Sequence, residues 1–493
     1  MRRLFEKYPN RTHRLIEILV PLCTYALITM PLWLSIWHPA LVAYLLITFN
    51  VYWFYKAATM TYFGVKAFLT LLAHSRIDWH AEAKKVTGYD SLYHAVLIPE
   101  FKEPAHILKR TLDAIIGSEY DSKKIIIVLA QEAKDLEAEN TAKELTQLYA
   151  NRVSLFLVTR HELKPGEVAG KSSNMAWAGK ELVKELVNRG IAIENVTVTS
   201  CDADALLHPK YLAYLTCKFL TSTDRYHHFY QGAILFYTNI WRVPLPSRVF
   251  NTFGSFFNLS LLGQSSKFIN FSTYSLALKT AVDSGYWGVD VIPEDYHLFF
   301  KVYFRFGEAV HTESIFLPIL VDAAESRGFW RTMVNQYEQS KRWAWGVSDL
   351  PFVIRGMVMH REIPFFDRLR RFILILEHHI FWPANWFLLT VGSTIPPLVN
   401  PAFGRTALGH NLSRLSSGIL TLSFLFIIAV IIVDMRLKPP RPKEFQLWKT
   451  PLLLFQWITI PVVSFFLGAL PGLDAHTRLM LGKRLEYRVT EKV

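Results

Sequence analysis

Val196-Thr197-Val198-Thr199-Ser200-Cys201-Asp202-Ala203-Asp204 is a β-branched run that stops abruptly at two aspartates. Such a run is a buried strand, and strands of this kind recur upstream at regular intervals. His94 to Pro99 is the first, Lys124 to Leu129 the second and Val153 to Val158 the third. Between them lie stretches of helical character over about 104 to 117, 133 to 149 and 173 to 188. Strand–helix alternation predicts a mainly parallel sheet covered on both faces. Ligands of such sheets bind beyond the carboxyl ends of the strands, where Asp202 and Asp204 stand.

Working outward, the chain turns strongly apolar on both sides of this α/β region. Leu15 to Trp37 and Ala40 to Phe54 precede it; Phe372 to Val399, Ile419 to Val433 and Pro451 to Leu470 follow. About 20 apolar residues span a bilayer, so these runs predict helical membrane segments. The first exceeds the apolar core of a signal peptide and lacks a small-residue cleavage site, which predicts that it is retained. Of 493 residues, 54 are Lys or Arg and 41 Asp or Glu, a net charge of +13. No nucleic-acid recognition motif accompanies that charge, and no nucleic-acid partner is expected. The basic residues instead crowd the membrane runs: Arg2, Arg3, Lys7, Arg11 and Arg14; Arg361, Arg368, Arg370 and Arg371; Arg436, Lys438, Arg441, Lys443 and Lys449. By the positive-inside rule these sets and the whole region from 75 to 370 are cytosolic. The tail, with Arg478, Lys483, Arg484, Arg488 and Lys492, is expected on the same side, returned there by a re-entrant hairpin broken at Pro461, Gly468 and Pro471. Three cysteines, Cys23, Cys201 and Cys217, show no metal-ligand spacing and read as reduced structural thiols.

Three polar motifs carry chemistry. Asp202 and Asp204 are two apart in an extended segment and point the same way, as a shared hard cation requires. Pro293-Glu294-Asp295 offers a carboxylate pair between Gly285-Tyr286-Trp287-Gly288 and an apolar helix. One of the pair can take a hydroxyl proton; a helix start where acids meet the dipole is the bland explanation. Gln339-Ser340-Lys341-Arg342-Trp343 sets Gln339, Arg342 and Trp343 on one helical face. Its surroundings, Trp330, Arg331, Tyr337 and Trp345, equally suit a helix at the membrane surface.

In this order the D-x-D, E-D and Q-x-x-R-W motifs resemble the membrane-integrated glycosyltransferases of family 2, such as cellulose and hyaluronan synthases. The resemblance implies a GT-A-type, Rossmann-like α/β domain inserted in the cytosol between transmembrane helices. The domains would be 1–75, 76–350 and 351–493. It implies an inverting, metal-dependent hexosyltransferase of the plasma membrane using Mg²⁺ or Mn²⁺. Its partners would be a nucleotide-sugar donor, UDP-linked by expectation, a polysaccharide or lipid-linked acceptor, and membrane lipids. Asp295 would be the base with Glu294 orienting it, and Asp204 with Asp202 the metal and donor site. Lys171, in Gly170-Lys171-Ser172-Ser173-Asn174, would meet the diphosphate, or the segment is a loop with a Ser N-cap. Gln339, Arg342 and Trp343 would close over the donor. Pro99-Glu100-Phe101-Lys102-Glu103-Pro104 resembles the opening of the family's domain. The next strand ends Gln131-Glu132 where the family has aspartates, so Glu132 is either a donor contact or a solvated glutamate at a helix start. Gln231 and Asn239 resemble an acceptor-side stretch, and Phe271-Ser272-Thr273-Tyr274-Ser275 stands in place of a Gly-rich acceptor loop. Glu377-His378-His379, inside a membrane run, must face protein or water. A catalytically silent membrane protein with a degenerate sugar-binding domain is the alternative from another class.

Overall fold

The computed structural model describes residues 2–264, 268–442 and 450–485. Lys443, Lys449, Arg488 and Lys492, counted above in the charge pattern, lie outside them.

The α/β region is an eight-stranded sheet in the order β3-β2-β1-β4-β7-β6-β8-β5. The strands are β1 (Tyr93–Glu100), β2 (Ile125–Glu132), β3 (Leu155–His161), β4 (Val196–Ser200), β5 (Leu206–Leu207), β6 (His228–Leu235), β7 (Tyr274–Ala277) and β8 (His311–Leu320). The first four pair in parallel, as their apolar runs predict. β2, β4 and β6 are buried along their whole length, which is why they carry almost no alternation. Beyond β4 the sheet is mixed: β7 runs antiparallel to both neighbours, β6 and β8 pair in parallel, and β5 closes the edge antiparallel. The expectation of a mainly parallel sheet therefore fits one half of it. The reversal of β7 has a consequence at the site. It pairs Tyr274 with Ser200, so the segment entering β7 starts beside the carboxyl end of β4.

Helices α1 (Pro9–Trp33) and α2 (Pro39–His74) precede the sheet. Within it come α3 (Ala105–Ile116), α4 (Ala138–Tyr149), α5 (Lys171–Asn188), α6 (Tyr211–Thr221), α7 (Leu245–Gly263), α8 (Glu294–Phe306) and α9 (Phe329–Ala344). After it follow α10 (Phe365–Thr390), α11 (Ala407–Phe424), α12 (Ile427–Leu437) and α13 (Leu470–Met480). Five helical segments among the described residues are long and apolar enough to cross a membrane: Pro9–Ile36, Pro39–His74, Phe365–Thr390, Ala407–Leu437 and Gln456–Met480. The second far exceeds its apolar run, because its last turns leave the apolar belt and pack on α7. Gly64 and Gly263 are the contact points: Phe256 sits over Gly64 and the Phe63 carbonyl over Gly263.

The hairpin expected at Pro461, Gly468 and Pro471 does not form. Residues 456 to 480 are continuously helical, with a π-turn at Phe465–Ala469. Both ends of this segment nonetheless touch the sheet domain. Trp457 shares an apolar cluster with Val249 and Phe256, and Asp474 lies 3.2 Å from Lys341 of α9. Arg14 donates to the carbonyls of Leu479 and Met480 at 2.8 and 2.5 Å. The start of the basic tail thus emerges beside the basic N-terminus.

Candidate active site

Each residue of the Lys171–Asn174 segment is tied to a different element. Lys171 opens α5 behind Gly170, whose φ of 139° excludes most side chains. Ser172 Oγ donates to the Gly288 carbonyl, Ser173 Oγ to Val168 O at 2.8 Å, and Asn174 Nδ2 to Ala130 O at 2.7 Å. The serines lie inside the helix and cap nothing, contrary to the Ser N-cap considered above.

These ties aim the Lys171 ammonium into a cage of oxygens. Nζ lies 2.7 Å from Asp202 Oδ1, 2.8 Å from the Ser272 carbonyl and 2.6 Å from Glu294 Oε1. Burial pulls its pKa down; the Asp202 and Glu294 carboxylates outweigh that and raise it. Ser272, held at φ 57°, completes the link between the two acidic motifs. Its Oγ donates to Asp202 Oδ2 at 2.6 Å and its N–H to Asp295 Oδ2 at 2.8 Å. Asp295 Oδ1 accepts from the Tyr296 N–H at 2.8 Å. The D-x-D and E-D motifs, 90 residues apart in sequence, are therefore one site at the carboxyl end of β4.

Glu294 is buried and Asp295 half-buried, and desolvation pushes both carboxyl groups up. Glu294 rises to about 8 although Lys171 pulls it down, with the neighbouring Asp295 charge adding to the rise. Asp295 is also raised, but Lys171 and the N–H groups of Ser272 and Tyr296 favour its charged form. Two adjacent carboxyls in unlike environments divide the labour of proton holding, with Asp295 the one equipped to stay ionised.

Asp204 is buried, and its Oδ2 accepts from the Asp322 N–H at 3.0 Å. Asn239 braces that turn. Its Nδ2 donates to the Ala323 carbonyl at 2.9 Å, and its Oδ1 accepts from the Ala323 N–H at 2.8 Å. Arg110 Nη2 lies 2.6 Å from Asp322 Oδ2. Gln231 has the matching role across the sheet. Its amide donates to Thr273 O and accepts from the Phe271 N–H, both at 2.9 Å, fixing the loop that carries Ser272. Gln231 and Asn239 thus position backbone on either side of the aspartates.

Glu132 ends β2 and is buried, six residues before α4 begins, so it is not a solvated helix-start glutamate. Burial raises its pKa, partly offset by the Gly170 N–H at the entrance to α5. Beside it Gln131 Nε2 donates to Glu100 Oε1 at 2.6 Å, and burial lifts Glu100 to about 7. Asp135 accepts from the Lys102 N–H at 2.7 Å.

The Q-x-x-R-W segment lies along α9. Gln339 Oε1 accepts from Gln336 Nε2 at 2.9 Å, and Gln336 Oε1 accepts from Ser247 and Asn251 of α7. Trp343 is half-buried, its ring nearly parallel to Phe250 and tilted on Phe236. Arg342 is half-buried one turn beyond Gln339. Just past α9, Asp349 Oδ1 pairs with His297 Nδ1 at 2.7 Å, which fastens this segment to the helix that opens with Glu294 and Asp295. Tyr296 then meets His379 of α10 edge-on, at 5.7 Å between ring centres. Glu377 pairs with Lys56 of α2.

Asp322 and Asp135 escaped sequence reasoning, and Glu100 and Ser272 entered it only within longer motifs, with no role of their own. Ser272 lies in a loop marked only by what it lacks, and Asp322 has no motif around it.

Residues 197–461, just over half of the chain, match the model of glycosyl transferase family group 2. The chain belongs to that family. The match begins within β4 and takes in the D-x-D, E-D and Q-x-x-R-W motifs; Lys171 and Glu132 precede it. Comparison with curated proteins found no match. Among solved structures the chain is similar to the mannosyltransferase PcManGT from Pyrobaculum calidifontis in complex with GDP-Man and Mn²⁺, at 13% identity and TM-score 0.40, covering 77% of this chain and 98% of that one. It is also similar to S. aureus TarS, at 12% identity and TM-score 0.35, covering 72% of this chain and 57% of that one. TarS 1–349 in complex with UDP-GlcNAc matches at 11% identity and TM-score 0.33, covering 68% and 92%. The protein is a family 2 glycosyltransferase with a GT-A-type sheet domain between long apolar helices.

Proposed function

We propose that the chain is an inverting hexosyltransferase that moves a sugar from a nucleotide-sugar, UDP-linked by preference, to a polysaccharide or lipid-linked acceptor. The membrane is the plasma membrane and the sheet domain faces the cytosol. The observation that carries this reading is Ser272, whose Oγ and N–H join Asp202 to Asp295. A donor whose diphosphate is held at the D-x-D would then lie next to the acid pair.

Asp295 acts as base. The acceptor hydroxyl loses its proton to this carboxylate while its oxygen bonds the anomeric carbon, and the bond from that carbon to the diphosphate breaks. Each Asp295 oxygen accepts one N–H, which leaves a lone pair for that proton. Glu294 orients its neighbour through Lys171. Glu132 lies where the donor's nucleoside would reach, and Arg342 and Trp343 cover the donor from α9.

Asp202 and Asp204 would hold Mg²⁺ or Mn²⁺. The fit is chemical: both side chains offer carboxylate oxygens, the ligands a hard cation takes, and Asp202 already meets a positive charge, the Lys171 ammonium at 2.7 Å. When bound, the ion neutralises charge on the leaving diphosphate.

Purified protein incubated with a panel of nucleotide-sugars, with Mg²⁺ or Mn²⁺, should release free nucleotide from one of them. Failure to release nucleotide from any donor, with folded protein and membrane lipid present, would return the chain to the silent sugar-binding class.

A further inference from the structure

At the other end of the sheet, β6 and β8 begin side by side with His228 paired to His311. Residues i and i+2 of a strand share a face, so His311 and Glu313 project together, next to His228 on the neighbouring strand. One ligand atom from each of His228, His311 and Glu313 lies within 4.8 Å of the other two. His228 stands level with Thr197 across β7, so Asp202 is five residues further along, roughly 16 Å at the usual strand rise. This cluster is separate from the D-x-D.

Two further observations distinguish it from an accidental grouping. His228 is buried, 6% exposed, and its Nε2 has no hydrogen-bond partner among the described residues. Its Nδ1 is engaged by Ser222 Oγ at 3.2 Å, which leaves Nε2 for a ligand. His311 Nδ1 faces the Ala309 carbonyl at 3.0 Å, and Nε2 faces Glu313 Oε1 at 3.1 Å. A metal at Nε2 would leave the Nδ1–H to the Ala309 carbonyl, the usual outer partner of a ligating histidine. Glu313 Oε2 already accepts from Lys218 Nζ at 3.1 Å, so Oε1 is the oxygen left for the metal. The inner oxygen and the two ring nitrogens form an N₂O set, to which a water would add the fourth ligand.

We propose that His228, His311 and Glu313 bind a divalent d-block cation, Zn²⁺ by preference, that fastens β6 to β8. Two imidazoles and one carboxylate suit zinc; Mg²⁺ and Ca²⁺ prefer oxygen alone. Ligand atoms of a tetrahedral site with bonds of about 2.0–2.2 Å stand about 3.4 Å apart, so the side chains must draw together, and the His228 and His311 rings, 3.9 Å apart between centres and tilted by 49°, must turn to aim both nitrogens at one ion. Because the site spans two strands of different sequence origin, its occupancy stabilises the sheet without touching the reacting groups.

The test uses the full chain in detergent, without a histidine tag, carrying Asp202→Asn and Asp204→Asn to remove the other cation site. After chelator treatment it is titrated with Co²⁺, read by visible absorption, and with Zn²⁺, read by thermal unfolding and metal content. One ion per chain, tetrahedral cobalt bands and a rise in Tm that scales with Zn²⁺ are expected. His311→Gln and Glu313→Gln lie at partly exposed positions and should fold; each should weaken binding at least tenfold. No binding at micromolar Zn²⁺, or equal binding after both substitutions, overturns the proposal.

Discussion

The Ser272 N–H lies 2.8 Å from Asp295 Oδ2, and in the same residue Oγ reaches Asp202. One serine, in a left-handed backbone conformation, therefore sets the spacing between Asp202 and Asp295. That relationship makes separate predictions for the two acids, for the lysine between them and for the loop.

Asp295→Asn keeps shape and the two N–H contacts but cannot accept the acceptor's proton. Transfer should fall by about 10² to 10⁴, the usual worth of a positioned base, with donor affinity near wild type. Glu294→Gln should cost less on the proposed division of roles, in which that residue orients its neighbour. Single-turnover rates beside donor titration separate the two. A reversed order of severity would move the base to Glu294.

Lys171 gives a pH prediction of definite sign. Burial raises Asp295, and the Lys171 charge is the next largest influence, pulling it back down. The base works deprotonated, so activity is lost as pH falls through its pKa, above the ordinary aspartate value of about 3.9. Lys171→Gln removes the downward pull. The acid limb of kcat at saturating donor should therefore move to higher pH. An unmoved or lowered limb would show that the ammonium does not sense the acid pair.

Much of this site could be read from sequence because strand ends and their polar residues are local. The run from Val196 to Asp204 announces a buried strand and the acids beyond it without knowledge of any partner. Loop-borne groups are different. Ser272 matters through a backbone angle and a pairing with β7, neither of which has a composition. The antiparallel course of β7 was equally hidden, since four buried residues, Tyr274 to Ala277, look the same in either direction. His228, His311 and Glu313 meet only through the β6–β8 register, which no spacing along the chain betrays.

Gln231→Leu should act through the same loop. It removes both amide contacts and leaves the Phe271 N–H without its acceptor, a cost of about 1–3 kcal/mol in a buried site. Transfer should drop by about tenfold or more, equivalent to ~1.4 kcal/mol at the barrier, as Ser272 loses its fixed place. Gln231→Glu, which keeps an acceptor for Phe271, should retain more activity than the leucine variant. Equal losses would mean that burial of the side chain, not the loop contact, is what counts.

The seam between the membrane helices and the sheet domain is set by two glycines. A Cβ on Gly263 would stand 2.2 Å from the Phe63 carbonyl oxygen and 2.9 Å from its carbon, both backbone atoms that cannot yield. Gly263→Ala should destabilise by about 1–3 kcal/mol, as overpacking does. Gly418 in α11 is the control. Nothing lies within 4 Å of its would-be Cβ, so alanine there should be neutral or stabilising. Thermal unfolding in detergent compares the two directly.

Topology provides the last test. Trp241 Nε1 donates to the Pro439 carbonyl at 2.9 Å, tying the end of α12 to the sheet domain. A cysteine near 442 should therefore be protected from impermeant thiol reagents in intact cells, while one near 406, at the far end of α11, should label. The segment from 456 to 480 decides the tail. Lys341 meets Asp474, and Arg14 holds the carbonyls of Leu479 and Met480, so both contacts pull its end toward the domain side. A cysteine at 485 should then be protected, in keeping with the basic charge around Arg478, Lys483 and Arg484. Labelling at 485 together with protection at 442 would mean that the segment crosses completely, and that the contact with Arg14 is made from the opposite face of the membrane to the one proposed.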